Sequence, residues 1–203
     1  MSSIIPYTCT IDEVSLSVYA ILFEMKLTEK TLKSEIKFEG RIVKLIHDEI
    51  ELPDGRISMR EVVQHPGGVC VACEKDDGEF LIVQQFRYAF KEEILEFPAG
   101  KLEIGEDPLE AGMRELIEEC GYQALEVVPL GKFYPSVGYL TEIIYLYYVP
   151  KAKFVGQCLD DQEFLNVLSY PLDQLNTLIQ NDFINDGKTI ALVHKVEKYK
   201  ETL

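Results

Sequence analysis

Three glutamates and an arginine crowd one short run of the chain: Arg114, Glu115, Glu118 and Glu119. If the run is helical, Glu115 and Glu119 stand four residues apart and Glu115 and Glu118 three apart, so their carboxylates converge on one face. Like charges at those spacings repel by roughly a few tenths of a kcal/mol per pair, and near a helix C-terminus the dipole disfavours them further. Arg114 can pair with Glu110 and Glu118 but cannot neutralise every carboxylate. A rigid face of oxygens carrying surplus negative charge is what a hard divalent cation needs. A merely solvated acidic face accounts for the same residues, and the run alone does not choose between the two.

The helix that would carry them has legible ends. Asp107 is a good N-cap, Pro108 fits the first helical position, and Glu110 stands where a capping box needs it. Gly121 suits the left-handed position that terminates a helix. Leu109, Met113, Leu116, Ile117 and Cys120 fall on one stripe at helical spacing, which predicts that this stripe faces a core.

The spacing extends well upstream. Gly100, Glu106, Arg114, Glu115, Leu116, Glu118, Glu119 and Gly121 fill the pattern G-x5-E-x7-R-E-U-x-E-E-x-G-U, with Tyr122 in the last, looser place. This pattern resembles the signature of the Nudix hydrolases. Other runs resemble the ADP-ribose pyrophosphatase branch in matching order: REVVQHPGGV, FLIVQQFRYAFKEEILEFPAGKLEIGEDP, GKFYPSVGYLTE, DDQEFLNV and DGKTIALV.

The resemblance implies a Mg²⁺-dependent enzyme, with Mn²⁺ able to substitute, that cleaves ADP-ribose or a related nucleoside diphosphate sugar. Glu115, Glu119 and the backbone carbonyl of Ala99 would hold the metal, and Glu118 would be a further ligand or a positioning group. Glu106 and Arg114 would form a structural salt bridge between signature loop and helix. The general base in this branch is a carboxylate on a later loop, which matches Asp161 first and Glu163 next in LDDQEF. By residue type alone, that run is a plain acidic turn. Arg60 and Arg87 match arginines that touch substrate, a role suited to a planar guanidinium fork, and either is otherwise a surface arginine. Glu96 would support substrate or a partner subunit. One position departs from the branch: Val137 stands where a proline is usual. A dinucleoside polyphosphate hydrolase and a non-catalytic ADP-ribose-binding module are the competing functions.

The elements around the motif read as mixed. Strand-like alternation runs through EIKFEGRIVKLIHDEIEL, a PDG turn and RISMREVVQH. VCVACE and EFLIVQQF flank an acidic KDDG turn and predict a hairpin. After the signature helix, ALEVVPLGKFY and EIIYLYYVP are strand-like, whereas SYPLDQLNTLIQ and GKTIALVHKVEKYK have helical spacing. The order predicts an α+β chain, and the family implies a mixed β-sheet sandwiched between α-helices. Residues 1–64 are expected to form a β-rich dimerisation arm, with 1–30 unassigned, and residues 65–203 the hydrolase domain with C-terminal helices. The family also implies a homodimer.

Composition narrows the setting. The net charge of −15, from 35 acidic and 20 basic residues, comes with no basic stripe of the kind nucleic-acid binders carry. No apolar run reaches the ~18 residues of a membrane span. The N-terminus lacks the basic flank and apolar stretch of a secretory signal, so a cytoplasmic location is expected. Cys70 and Cys73 form a C-x-x-C within a strand-like run, where alternation sends them to opposite faces, so buried thiols are expected rather than a metal pair.

Overall fold

The computed structural model describes residues 27–159 and 163–203. The sheets begin with β1 (Lys30–Glu39), β2 (Lys44–Glu51) and β3 (Ile57–Gln64), hydrogen-bonded in the order β1-β2-β3. The turn between β2 and β3 is the expected one: Gly55, at φ 84°, donates its N–H to the Leu52 carbonyl. By contact density the chain divides into two units, one containing His47–Arg60 and the other Ile36–Ile46 with Glu61–Leu203. Residues 1–26, including most of the unassigned N-terminal stretch, lie outside the described residues.

The larger unit is built on β4 (Gly68–Cys73), β5 (Glu79–Arg87), β6 (Glu92–Glu96), β7 (Ala99–Lys101), β8 (Tyr122–Phe133), β9 (Ile144–Phe154) and β10 (Leu165–Pro171). These form one sheet in the order β7-β4-β9-β8 and another in the order β10-β5-β6. The β4–β9 pair is parallel, whereas β7, β8 and β10 pair antiparallel with their neighbours, so the sheet is mixed. Helix α1 (Pro108–Cys120) follows β7, and α2 (Leu172–Gln180) and α3 (Gly187–Lys200) close the chain.

Strand β4 is buried along its whole length, and its alternation divides the interior. Val69, Val71 and Cys73 join Ala111, Leu116 and Cys120 of α1, while Cys70 and Ala72 join Leu175 of α2 and Leu192, Val193 and Val196 of α3. One strand thus serves two cores, and its helices lie on both faces, as the α+β sandwich requires. Cys70 and Cys73 are free, buried and in different cores, and burial pushes both thiols up, that of Cys73 to about 12.

Two local expectations are corrected. The KDDG turn forms, with Lys75 and Glu79 hydrogen-bonded across it, but β4 and β5 do not continue as a hairpin. A single bridge between Glu74 and Phe80 joins them; beyond it β4 pairs with β7 and β9, and β5 with β6 and β10. Both edges of each strand are taken by other partners, which no local pattern announces. In SYPLDQLNTLIQ, residues 169–171 belong to β10, and the helix starts only after Pro171.

Candidate active site

Helix α1 ends as its sequence dictates. The Asp107 carboxylate accepts from the N–H groups of Leu109 and Glu110 at 2.9 and 3.2 Å, and Gly121 (φ 76°) donates to the Ile117 carbonyl at 2.8 Å. Among the described residues, no bond returns from Asp107 N–H to Glu110, so the capping box is half formed. The apolar stripe faces the core through Leu116, Cys120 and the partly buried Met113, but the buried face also takes in Ala111, Gly112, Glu115 and Glu119, whereas Leu109 is 40% exposed. Glu115 and Glu119, 8% and 3% exposed, are therefore not on a solvated acidic face.

Gly100 makes this possible. A Cβ there would lie 1.9 Å from the Glu115 carboxyl carbon, so the glycine is required by the close approach of β7 to the helix. The adjoining Ala99 N–H donates to Glu119 Oε2 at 2.9 Å. That is the only hydrogen bond of the Glu119 carboxylate among the described residues. Burial lifts its carboxyl to about 8 and also raises that of Glu115, where Arg114 opposes the shift.

Arg114 organises the other side of the motif. Its guanidinium donates to Glu106 at 2.9 and 3.2 Å, to Glu115 Oε1 at 2.9 Å and to Glu118 Oε2 at 2.8 Å. Glu106 also accepts from Glu103 N–H at 2.9 Å, so the loop preceding the helix is fixed to the helix. The Arg114 hydrogen bond holds the Glu106 carboxyl below the usual carboxylate range. Glu118 is committed to Arg114 here.

A cavity of about 510 Å³ gathers several of the expected residues. Arg87, Ala99, Gly100, Glu115, Glu119 and Glu163 all line it. Glu163 lines the cavity with Glu115 and Glu119, and its charge adds to burial in raising both carboxyls. Asp161 lies outside the described residues. Arg60 belongs to the smaller unit, on β3, where it is ion-paired with Glu29. Glu96 is 1% exposed and takes two hydrogen bonds from Arg87, at 2.6 and 2.8 Å.

The cavity also holds residues that sequence reasoning did not single out. Lys188 is ion-paired with Glu96 and with Asp186, the latter at 2.9 Å. His65 and Glu142 face one another at 3.3 Å, and Gly67 N–H donates to His65 Nδ1 at 3.1 Å. The runs HPGG, TEII and DGKT were visible as turns or as parts of the resemblance, but nothing in a linear pattern puts Glu96 beside Lys188.

The donor set fits a hard divalent cation. Glu119 is a buried carboxylate without a cationic partner among the described residues, beside a second buried carboxylate and open to a polar cavity. Such a group is costly unless a cation or proton compensates it. Among the described residues no group of three or more His, Cys, Asp or Glu side chains converges, and the carboxylates of α1 that line the cavity are those of Glu115 and Glu119. Backbone oxygen and water can complete the shell, as suits Mg²⁺-like ions that keep several waters.

Comparison with known proteins agrees with this geometry. The model of the NUDIX domain matches residues 64–193, and that of the nucleoside diphosphate sugar hydrolase N-terminal domain matches residues 29–63. The chain is 40% identical over 171 residues to a methanol dehydrogenase activator from Bacillus methanolicus, covering 83% of this chain and 92% of that protein. It is 36% identical over 179 residues to an ADP-ribose pyrophosphatase from Bacillus subtilis (strain 168), covering 87% and 96%. A crystal structure of an ADP compounds hydrolase shares the fold, with a TM-score of 0.77 at 18% identity over 86% of this chain and 95% of that one. With Glu115 and Glu119 of the signature in the cavity wall and both models matched in succession, the chain belongs to the Nudix family of hydrolases.

Proposed function

We propose that this protein is a Mg²⁺-dependent pyrophosphohydrolase that cleaves ADP-ribose, or a related nucleoside diphosphate sugar, with AMP and ribose 5-phosphate as the products from ADP-ribose. Mn²⁺ is expected to substitute. The observation that carries the reading is the burial of Glu115 and Glu119 together in a cavity that Arg87 also lines. Glu115, Glu119 and the Ala99 carbonyl would hold the ion, which when bound neutralises the diphosphate and acidifies a water. Arg87 spends two of its N–H donors on Glu96 and keeps the others for phosphate oxygens. Asp161 or Glu163 takes the proton as the water oxygen bonds to phosphorus. The anhydride P–O bond then breaks, and its electron pair leaves on the departing phosphate.

A nucleoside diphosphate hexose is the second reading, in keeping with Val137 in place of the branch proline. A binding-only module is disfavoured because every signature glutamate is retained. The working form is a cytoplasmic homodimer in which residues 35–64 cross to the partner and bring Arg60 to substrate. Strand β1 supports this assembly: it is exposed throughout, with Leu32, Ile36 and Phe38 in alternating register on one face. Free, buried Cys70, Cys73 and Cys120 suit a reducing compartment.

A substrate panel tests the reading. ADP-ribose should be hydrolysed faster than ATP, dGTP or NADH in Mg²⁺, EDTA should abolish turnover, and Mg²⁺ or Mn²⁺ should restore it. Undiminished hydrolysis in EDTA refutes the mechanism. A hexose derivative or diadenosine polyphosphate clearly outpacing ADP-ribose refutes the substrate.

A further inference from the structure

We propose that Asp186 and Lys188, at the N-terminus of α3, are positioning residues that act on substrate through Glu96 and Arg87. The proposal rests on the reading of Arg87 as a phosphate ligand. Glu96, at the end of β6, is almost completely buried, and both its oxygens are engaged. Arg87 Nε donates to Oε1 at 2.6 Å and Arg87 Nη2 to Oε2 at 2.8 Å, while Lys188 Nζ also donates to Oε2. Lys188 reaches back to Asp186 Oδ2 at 2.9 Å. That oxygen is fixed in turn by Thr189, through N–H at 3.0 Å and Oγ1 at 2.6 Å. Thr189 Oγ1 accepts from Phe97 N–H at 2.9 Å, so α3 is joined to the residue after Glu96 as well.

The charges explain why these groups act as a unit. Two cations, Arg87 and Lys188, face two anions, Glu96 and Asp186, in a largely buried cluster that is neutral only when complete. Breaking such a cluster by removing one partner leaves an uncompensated buried charge. Without Lys188, Glu96 has only Arg87, which must then serve as its sole counter-ion as well as the ligand of an incoming diphosphate. With Lys188 present, Glu96 holds one edge of the guanidinium, and the remaining donors of Arg87 meet the cavity in a fixed orientation. Preorganisation of this kind shows in binding of the anion. The metal-holding residues are on α1 and β7, outside the cluster, so the chemical step should feel its loss less.

A double-mutant cycle separates this role from direct substrate contact by Lys188 and from a merely structural one. Lys188→Met, Arg87→Ala and the double variant are compared by steady-state kinetics in Mg²⁺ and by calorimetric titration of the nucleotide in EDTA. The compound is whichever nucleoside diphosphate derivative the wild-type enzyme hydrolyses best; if that is not ADP-ribose, the substrate reading fails and the cycle still decides this proposal. Lys188→Met should raise KM and Kd about tenfold, with kcat falling less than roughly threefold. In the Arg87→Ala background the same substitution should change KM less than about twofold. Asp186→Asn, which keeps an N-cap oxygen, should move KM in the same direction by less, and serves alone if Lys188→Met does not fold. Additive effects of Lys188→Met and Arg87→Ala, an unchanged KM in both Lys188→Met and Asp186→Asn, or an Arg87→Ala variant with wild-type KM overturns the proposal.

Discussion

Replacing Glu119 by glutamine should flatten the pH dependence of stability in the metal-free protein while removing the activity of the metal-loaded one. In the unfolded chain this carboxyl ionises near 4.5, and burial in the fold lifts it to about 8. Between those values the folded state keeps a proton that the unfolded state has lost, so raising the pH favours unfolding. The penalty is absent below about 4.5, grows across the interval and is complete above about 8. At about 1.4 kcal/mol per tenfold change in proton affinity, it amounts to on the order of 5 kcal/mol. Glutamine keeps an oxygen for Ala99 N–H and carries no charge, so the variant escapes the penalty. For a chain of this length the difference corresponds to roughly 8–15 °C in melting temperature near pH 8, shrinking toward zero near pH 5. Glu115 also has a raised carboxyl and contributes a slope of the same sign to both proteins, so the measured quantity is the gap between the curves. Thermal unfolding of both proteins in EDTA from about pH 5 to 9 reads it. In Mg²⁺, wild type should gain stability by mass action and the variant little, and hydrolysis by the variant should fall roughly a hundredfold or more. Glu110→Gln, in the exposed first turn of α1, is the control and should stay within a fewfold of the wild-type rate. Parallel stability curves for wild type and Glu119→Gln, or near-normal turnover by that variant, would refute the reasoning.

Other outcomes follow from the same geometry. In Gly100→Ala the new methyl collides with the buried Glu115 side chain as far back as Cγ, at 2.4 Å, so the glutamate must be displaced; stability should fall by roughly 1–3 kcal/mol, while Mg²⁺ affinity and rate collapse. A Gly100→Ala enzyme with wild-type Mg²⁺ dependence would count against the assigned ligand. Asp161→Asn and Glu163→Gln identify the base: the variant that loses the limb of the pH–rate profile contributed by an unprotonated carboxylate carries that role, and retention of the limb in both removes it from this loop. Light scattering at micromolar concentration should give a dimer, and truncation of residues 1–64 should abolish activity together with dimerisation; a fully active monomer would refute the crossing arm.

Helix α1 and the placement of its glutamates were legible because they are local. Asp107, Pro108 and Gly121 mark its ends within a few residues of the atoms they satisfy, and the four-residue interval brings Glu115 and Glu119 together whatever surrounds them. The face that the helix buries was legible in part: Leu116, Cys120 and Met113 of the expected stripe do pack in the core. Periodicity chose the stripe through Leu109, whereas docking of Gly100 against Glu115 buries two carboxylates and leaves Leu109 substantially exposed. A cation site of the kind proposed is where a functional demand would override the hydrophobic pattern. The β4–β5 hairpin failed for a similar reason: the turn chemistry is local and correct, but strand pairing is decided by distant edges. Lys188 was hidden by distance alone, 92 residues from the glutamate it holds.

That separation also sets an order of events during synthesis. Strand β6, the Phe97–Gly100 turn and the whole signature helix leave the ribosome before α3 exists, and chains fold from the N-terminal side as they emerge. A nascent chain can therefore assemble the acidic pair while Glu96 still lacks its lysine and Phe97 N–H still lacks the Thr189 hydroxyl. Only when residues 186–189 arrive are the partners of both strand-end groups present. On the proposed roles, stalled or clipped chains would keep the glutamates assigned to the metal yet lack the fastening of the arginine assigned to phosphate, so competence would be withheld until residues 186–189 are made.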